Sequence, residues 1–588
     1  MYEQCQFVTN TTPCTLQIID MINHFNSFAY PDLGRTFALR AAREPEKTMK
    51  IQSTKNNAGL LLWVGISAIA SSVGLSSSAN AESVLRFALT TEPPQLNTMK
   101  ATDTQSHFVV GHIVEGLTRY GKDGQPVPGV ATDWKITDKE ATFHLRKNAK
   151  WSDGKPVTAK DFIFGWKSAL DPKMASEYAF ILYPIKNAEQ INQGKLPGTA
   201  LGVVAPDDYT LKITFEKPCG YFLALTTFST YSPVREDFFN QVKDQFGADA
   251  DKLLYNGPFV ITKWVHGASL QMDKNPNYWN KDKIALDRID IPYITADDSA
   301  RFNFYKDNKT DMLERLGKED LPKAQTEHYK IKSFSDGSVF FLEYNFITGK
   351  ITRNKNLRKA LQLVFNPEEY TSRVVSIPGT KAGKSLIPVW LRGVKDFFRK
   401  EYPVQAVKPN VAEAKKYLAL AMKELSLTTP PSLIWLTGDT PLAAREAEYF
   451  QNLYRTTLGI DIKIDKQIFK QRLAKMTAGE FDIVSAGWGP DFADPMTFAE
   501  LLASWNENNR GHYTSPEYDA LIRKAQSTAD AKTRMDSMAK AEKIALDDQA
   551  ILPLYERTQA YIVRDTIQGV IRRPVAPDPD FTFVKVAK

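Results

Sequence analysis

Two aspartates, Asp491 and Asp494, stand three residues apart in "GWGPDFADP" (residues 487–495), just after the apolar run "FDIVSA". Carboxylates in such a setting have three uses: acid–base work on a glycosidic bond, ligation of a hard cation, or a fixed charge that receives a cationic ligand. A glycosidase pair needs carboxyl groups about 5–9.5 Å apart, a separation that any D-x-x-D can reach. A calcium site needs about six or more oxygens, and this stretch lacks the D-x-D-x-D density. An ionised Asp491 beside Trp488 and Phe492 suits a positively charged amine in a dry pocket. There a charge-assisted hydrogen bond contributes about 1.5–3 kcal/mol, and the aromatic rings add apolar contact and cation–π attraction. For Asp494, which precedes Pro495, the plainer reading is a turn or helix-cap residue.

Other reactive constellations are missing from the sequence. Its seven histidines form no H-E-x-x-H, and His107 and His112 are five apart, the wrong spacing for one helical face. There is no G-x-S-x-G elbow and no phosphate-cradling G-x-x-x-x-G-K-[ST]. Cys5, Cys14 and Cys219 offer no C-x-x-C, so no thiolate metal site is expected, and no residue is assigned a catalytic or metal-binding role. The net charge of +7 comes from 75 basic and 68 acidic residues that are interspersed rather than clustered. Nucleic acid is therefore not an expected partner, because counterion release needs a concentrated basic face.

The elements that would position Asp491 read as an α/β arrangement. "SLIWLTG" and "GIDIKIDKQ" have strand character and bracket the helical pattern "REAEYFQNLYRTTL", a β–α–β order that implies parallel pairing. Phe481 to Ala486 form the expected strand before Gly487 and Gly489, which let the backbone turn or approach a ligand closely. Ligands of open α/β sheets sit beyond the carboxyl ends of strands, where this loop falls. Earlier in the chain, "DDYTLKITFEKP" alternates as a strand. "TAKDFIFGWKSAL" is a helix with Thr158 as N-cap, Asp161 at N3 and an apolar face of Phe162, Trp166 and Leu170. With 588 residues, two or more domains are expected.

The front end reads as an export signal. No charged residue occurs from Asn56 to Ala81, the centre is "GLLLWVGISAIASSVGL", and the stretch closes on Ala79-Asn80-Ala81 after Lys50 and Lys55. The reading is a signal peptide over residues 49–81 that starts at Met49 and is cleaved after Ala81, with residues 1–48 a non-native upstream extension. Cys219 is then the single cysteine of the exported chain, and no intrachain disulfide is possible. Export without an anchor implies the periplasm of a Gram-negative bacterium.

Several motifs together resemble one family. "IVEGLTRY", "PVPGVATDWK", "TFHLRKNAKWSDGKPVTAKDF", "NGPFVITKW", "NPNYWN", "GWGPDFADP" and "LPLY", in this order from about Ser83 onward, are similar to the periplasmic oligopeptide-binding proteins of ABC transporters. The resemblance implies a two-lobe periplasmic binding protein fold with a hinge and an extra subdomain. Residues 82–114, 236–339 and 559–588 would build lobe I, 115–235 the subdomain and 340–558 lobe II. It implies an oligopeptide ligand enclosed between the lobes, delivery to an inner-membrane ABC permease complex, a monomer, no cofactor and no enzymatic activity. The alternatives within the class are murein peptides, haem or metal complexes; a remote one is a secreted hydrolase using Asp491 and Asp494.

Residue by residue, the resemblance puts Asp491 where the α-amino group of a peptide is received. Trp488 and Phe469 fall at aromatic positions lining side-chain pockets, Tyr178 at a tyrosine reaching in from the subdomain, and Tyr555 near a lobe crossing. Main-chain groups near Gly487 to Gly489 would hold the peptide as an added strand. Two positions depart from the pattern. Ser485 replaces an arginine that faces the carboxyl end of short peptides, which leaves peptide length and the need for a free carboxylate open. Gly489 replaces a disulfide-forming cysteine, so the fold must hold without that bridge.

Overall fold

The computed structural model describes residues 82–587; the expected signal peptide and upstream extension lie outside the described residues. Among the described residues three larger sheets, beside two two-stranded ones, organise the fold. The first has four strands in the order Val84–Leu89, Arg288–Ile294, Ser269–Lys274, Phe259–Val265, with only the first pair parallel. The second is an antiparallel sheet ordered Ala131–Ile136, Glu140–Leu145, Thr210–Thr214, Val203–Asp207. It packs with the helix Ala159–Leu170, whose first turn is fixed by Asp161 accepting the Thr158 N–H at 2.9 Å. Phe162, Trp166 and Leu170 of that helix are buried, as their spacing predicts.

The large sheet runs Met312–Leu313, Ile551–Val563, Lys332–Tyr344, Ile483–Trp488, Ser432–Thr437, Asp461–Lys466, with Lys381–Ala382 also beside Ile551–Val563. Its last three strands are parallel, and the helix Pro441–Leu458 joins two of them in the expected β–α–β unit. Thr440 caps that helix at Ala443 N–H (3.2 Å), Gly459 ends it at φ +70°, and its inner face is Ala447, Phe450, Tyr454 and Leu458. Together with Leu357, Leu361 and Trp435 these form a separate core under the sheet. Each such Leu or Phe side chain contributes about 1.5–3 kcal/mol on burial.

Lys332–Tyr344 and Ile551–Val563 are 13-residue antiparallel strands paired along their length, and the pairing slips at Asp336–Ser338. Gly337 takes φ +75° there, a conformation open to glycine. Asp336 closes the bulge by accepting from Ser338 N (3.0 Å), Arg557 Nε (2.5 Å) and Gln559 Nε2 (2.6 Å). The irregularity redirects two long strands without breaking them. Cys219 is buried and unbonded, its thiol pushed up to about 12 by burial.

Candidate functional site

The strand that leads to Asp491 runs Ile483–Trp488, two residues later than its apolar run predicts. The reason lies across the sheet: Gly487 pairs with Phe340 and Trp488 with Val339, so strand pairing carries on through the glycine. A Cβ on Gly487 would meet the Phe340 ring at 2.6 Å, so this glycine serves close packing within the sheet. Gly489 lies just past the strand's carboxyl end, where a Cβ would come 3.3 Å from Thr104 Cγ2 and 3.5 Å from Ser338 Oγ. It therefore faces the start of the helix Thr104–Ile113, which follows the first sheet's edge strand in the chain. Phe469 begins the helix that follows Asp461–Lys466, the edge strand two places away in the same sheet.

Asp491 receives a hydrogen bond from the Tyr178 hydroxyl at 2.9 Å, a contact between residues 313 apart in sequence. The Thr497 hydroxyl donates to its other oxygen at 3.5 Å and accepts the Asp491 N–H at 3.1 Å. No basic side chain forms an ion pair with Asp491 among the described residues. Burial therefore pushes its carboxyl up to about 8, with the Tyr178 and Thr497 bonds opposing the shift. Tyr178 is itself buried, and its phenol is driven well above its ordinary range by burial and by the Asp491 charge. Around it stand Trp488, with ring centroids 6.4 Å apart, Phe228 at 4.6 Å and His107 at 6.2 Å. Burial holds His107 down at about 4, so it adds no positive charge at neutral pH.

One cavity borders this cluster, and a larger one lies against its chain neighbours. A cavity of about 70 Å³ is bordered by Asp491, Tyr120, Phe228 and Arg573; Arg573 donates through Nη2 to Asp580 at 2.8 Å, and its Nε and Nη1 are buried without a partner among the described residues. A larger one of about 1080 Å³ is walled by Asn97, Asp103, Glu177, Phe469 and Arg510. Tyr178 lines neither, but its hydroxyl reaches Asp491 while its chain neighbour Glu177 lines the larger space.

Asp494 is engaged quite differently. One of its oxygens accepts from Arg534 at 2.7 Å and from the Met496 N–H at 3.0 Å, at the start of the helix Met496–Ala499. The Arg534 guanidinium lies over Tyr221, 4.7 Å from the ring centroid, and Tyr221 stacks on Phe492. The two aspartates thus do not share one space as an acid–base pair would need. Of the residues singled out in the sequence, Phe469 borders the large cavity and Asp491 the small one. Trp488 is nearly buried, its indole N–H donating to Thr497 at 3.3 Å. Tyr555 is 2% exposed, stacks face to face on Phe340 with centroids 4.7 Å apart, and meets Tyr370 at a tilt. It supports Phe340 from within the sheet rather than lining either cavity. Phe340, Thr497, Arg510 and Arg534 carried no sequence signal, because each is tied to the site by a partner distant in the chain or by tertiary packing.

The model of the bacterial extracellular solute-binding proteins, family 5 (middle region), matches residues 125–510. The chain belongs to this family, which is made up of solute-binding proteins. It is 31% identical over 497 residues to a dipeptide-binding protein of Bacillus subtilis, covering 84% of this chain and 90% of that protein. Among solved structures, an oligopeptide-binding protein of Listeria monocytogenes bound to peptide is 32% identical. It aligns with a TM-score of 0.81 over 86% of this chain and all (100%) of that one. The murein tripeptide-binding protein of Escherichia coli is 27% identical and gives 0.79, over 86% of this chain and 99% of its own. A structure of a murein tripeptide-binding protein in its unliganded open form, also 27% identical, gives only 0.59 over 86% and 98%. The chain thus superposes on the peptide-bound Listeria structure better than on this unliganded open form.

Proposed function

We propose that this protein captures oligopeptides in the cleft beside Asp491 and hands them to an inner-membrane ABC permease. One observation carries the reading. Asp491 is a buried carboxylate without a cation, held by a tyrosine from a distant part of the chain. An incoming ammonium supplies the missing charge and finds two oxygens already oriented by Tyr178 and Thr497.

The domain reading fits this role. Residues 82–114, 236–339 and 559–588 form lobe I, 115–235 the extra subdomain and 340–558 lobe II. The two long strands cross between lobes at residues 339/340 and 558/559, next to the irregular pairing at Asp336–Ser338. Hinge motion there opens the cleft, and ligand contacts made from both sides favour the closed state. Tyr178 and Asp491 then come from opposite sides, so closure itself completes the amine site. Gly489 leaves main-chain groups accessible for an added peptide strand, while Phe469 and Trp488 shape side-chain pockets. The protein performs no chemistry of its own, works as a monomer and is exported to the periplasm after cleavage at Ala81.

Mass spectrometry of small molecules released by denaturing the purified protein tests this reading. A mixture of peptides with free amino ends is expected. A single cell-wall peptide would narrow the cargo to murein fragments, whereas haem, a metal complex or nothing peptidic would refute the peptide reading.

A further inference from the structure

A further cavity, of about 630 Å³, lies among residues 362–553, and none of the residues that wall it borders either cavity near Asp491. Its size is that of a small-molecule site, about 300–1,000 Å³. The floor is apolar: Phe365, Pro367, Leu552 and Pro553 are buried around it. Leu552 and Pro553 begin the long strand Ile551–Val563, and Pro553 has no N–H to offer where the pairing with Lys332–Tyr344 slips. The helix Ala531–Asp547 contributes Ala539, whose methyl group takes up little of the space. Segment 403–407, which is neither helix nor strand, borders the cavity and leaves Val407 49% exposed.

The charged groups on these walls are unevenly used. All four carboxylates have donors. Glu401 accepts the N–H groups of Val394, Lys395 and Asp396 at 3.0, 2.6 and 2.6 Å. Glu542 accepts those of Leu386 and Ile387 at 3.0 and 2.8 Å and pairs with Arg399. Asp536 accepts from the Tyr402 hydroxyl and from Lys532, both at 2.7 Å, and Asp547 from Lys543 at 2.6 Å. Arg399 is equally committed, since its other nitrogens donate to the Ile387 and Tyr402 carbonyls at 2.9 and 3.0 Å. Lys384 and Lys540 stand apart: neither makes a hydrogen bond or an ion pair among the described residues, and both border the cavity. The unmet charge is therefore positive. One acceptor is also unmet. Gln549 gives its Nε2 to the Leu546 and Asp547 carbonyls at 3.2 and 2.8 Å, while its Oε1 is buried without a partner among the described residues. A buried acceptor of this kind is costly until a donor reaches it.

We propose that this cavity is a second ligand site, for an amphiphilic monocarboxylate. An alkyl chain lies on the floor of Phe365, Leu552 and Pro553, an N–H or O–H along the chain donates to Gln549, and the carboxylate is received by Lys384 and Lys540. The two amines come from different elements, one following Lys381–Ala382 and the other on Ala531–Asp547, so a single anion between them satisfies both. The site does not rest on the peptide reading, because it shares no wall residue with the spaces beside Asp491.

The test is calorimetric titration of the purified protein, with and without saturating peptide, using N-decanoylglycine below its micelle concentration, its methyl ester, and decyltrimethylammonium. The acid is expected to bind at one site per chain. The ester, which keeps the chain and the N–H but not the charge, is expected to bind roughly 10-fold more weakly, and the cation not at all. The double variant Lys384→Glu, Lys540→Glu alters two exposed side chains and is expected to remove the difference between acid and ester. Ala539→Trp fills the cavity and should abolish binding of both, and Gln549→Leu should weaken both by roughly fivefold while sparing their ratio. Thermal unfolding of each variant separates loss of the site from loss of the fold. Absence of saturable binding, equal affinity for acid and ester, displacement by peptide, or binding untouched in folded Ala539→Trp would each overturn the proposal. An unchanged affinity in Gln549→Leu would overturn the donor assigned to the ligand.

Discussion

Asp491 and Asp494 are separated by two residues and occupy opposite electrostatic situations. Asp494 is paired with a buried arginine and accepts the Met496 N–H just before a helix turn; its charge is balanced within the protein. Asp491 has hydroxyl donors and no cation, and burial raises it to about 8. A protein that needed both only for stability would pair both. The difference teaches that an incomplete bond inventory, rather than the density of carboxylates, marks a binding position.

The contrast breaks first at Asp491. Asp491→Asn is expected to weaken binding of peptides with free amino ends by roughly 100-fold or more, because truncating one partner of a desolvated charge pair costs several kcal/mol. Equilibrium titration checks it, and a loss below about fivefold would place the amine elsewhere. Tyr178→Phe removes one donor to Asp491 and leaves the charge, so roughly a 10-fold loss is expected in the same titration.

Asp494→Asn should show the reverse pattern. It leaves Arg534 buried without its counter-charge, and breaking such a pair costs about 3–5 kcal/mol of stability. Denaturant unfolding should register that loss while peptide affinity changes by less than about threefold. Equal damage to binding from both asparagine variants would dissolve the comparison.

The smallest effect concerns pH. Because the Asp491 pKa rises from 3.8 to about 8 on folding, the ligand-free folded protein holds a proton over that window that the unfolded chain has released. Stability from this group is therefore lost as pH rises from about 4 to about 8. Thermal unfolding of Asp491→Asn should show a shallower decline across that range than the wild type, and parallel curves would argue against a buried, unpaired carboxyl.

Much of this was legible in the sequence where the signal is local. The β–α–β unit followed from two strand-like runs bracketing a helical pattern, and the bland reading of Asp494 followed from its place before Pro495. The strand end at Trp488 was not legible, because it depends on Val339 and Phe340, some 150 residues away, offering backbone partners. In the helix Val411–Glu424 the packed face is Ala414, Leu418 and Ala421, while Val411 in its first turn is 45% exposed. At the first turn of a helix, end effects override the stripe. Arg510 and Arg534 sit among ordinary polar residues in sequence, and only burial distinguishes them from surface arginines.

The central claim is that an ammonium group completes Asp491. Calorimetric titration of ligand-stripped protein at pH 7, with free and N-acetylated versions of one peptide in two buffers of different ionisation enthalpy, tests it most directly. The account predicts tight binding of the free peptide with release of about one proton to the buffer, as the carboxyl ionises against its new partner, and no binding of the acetylated form. Equal affinity for both forms, with no proton released, would contradict it.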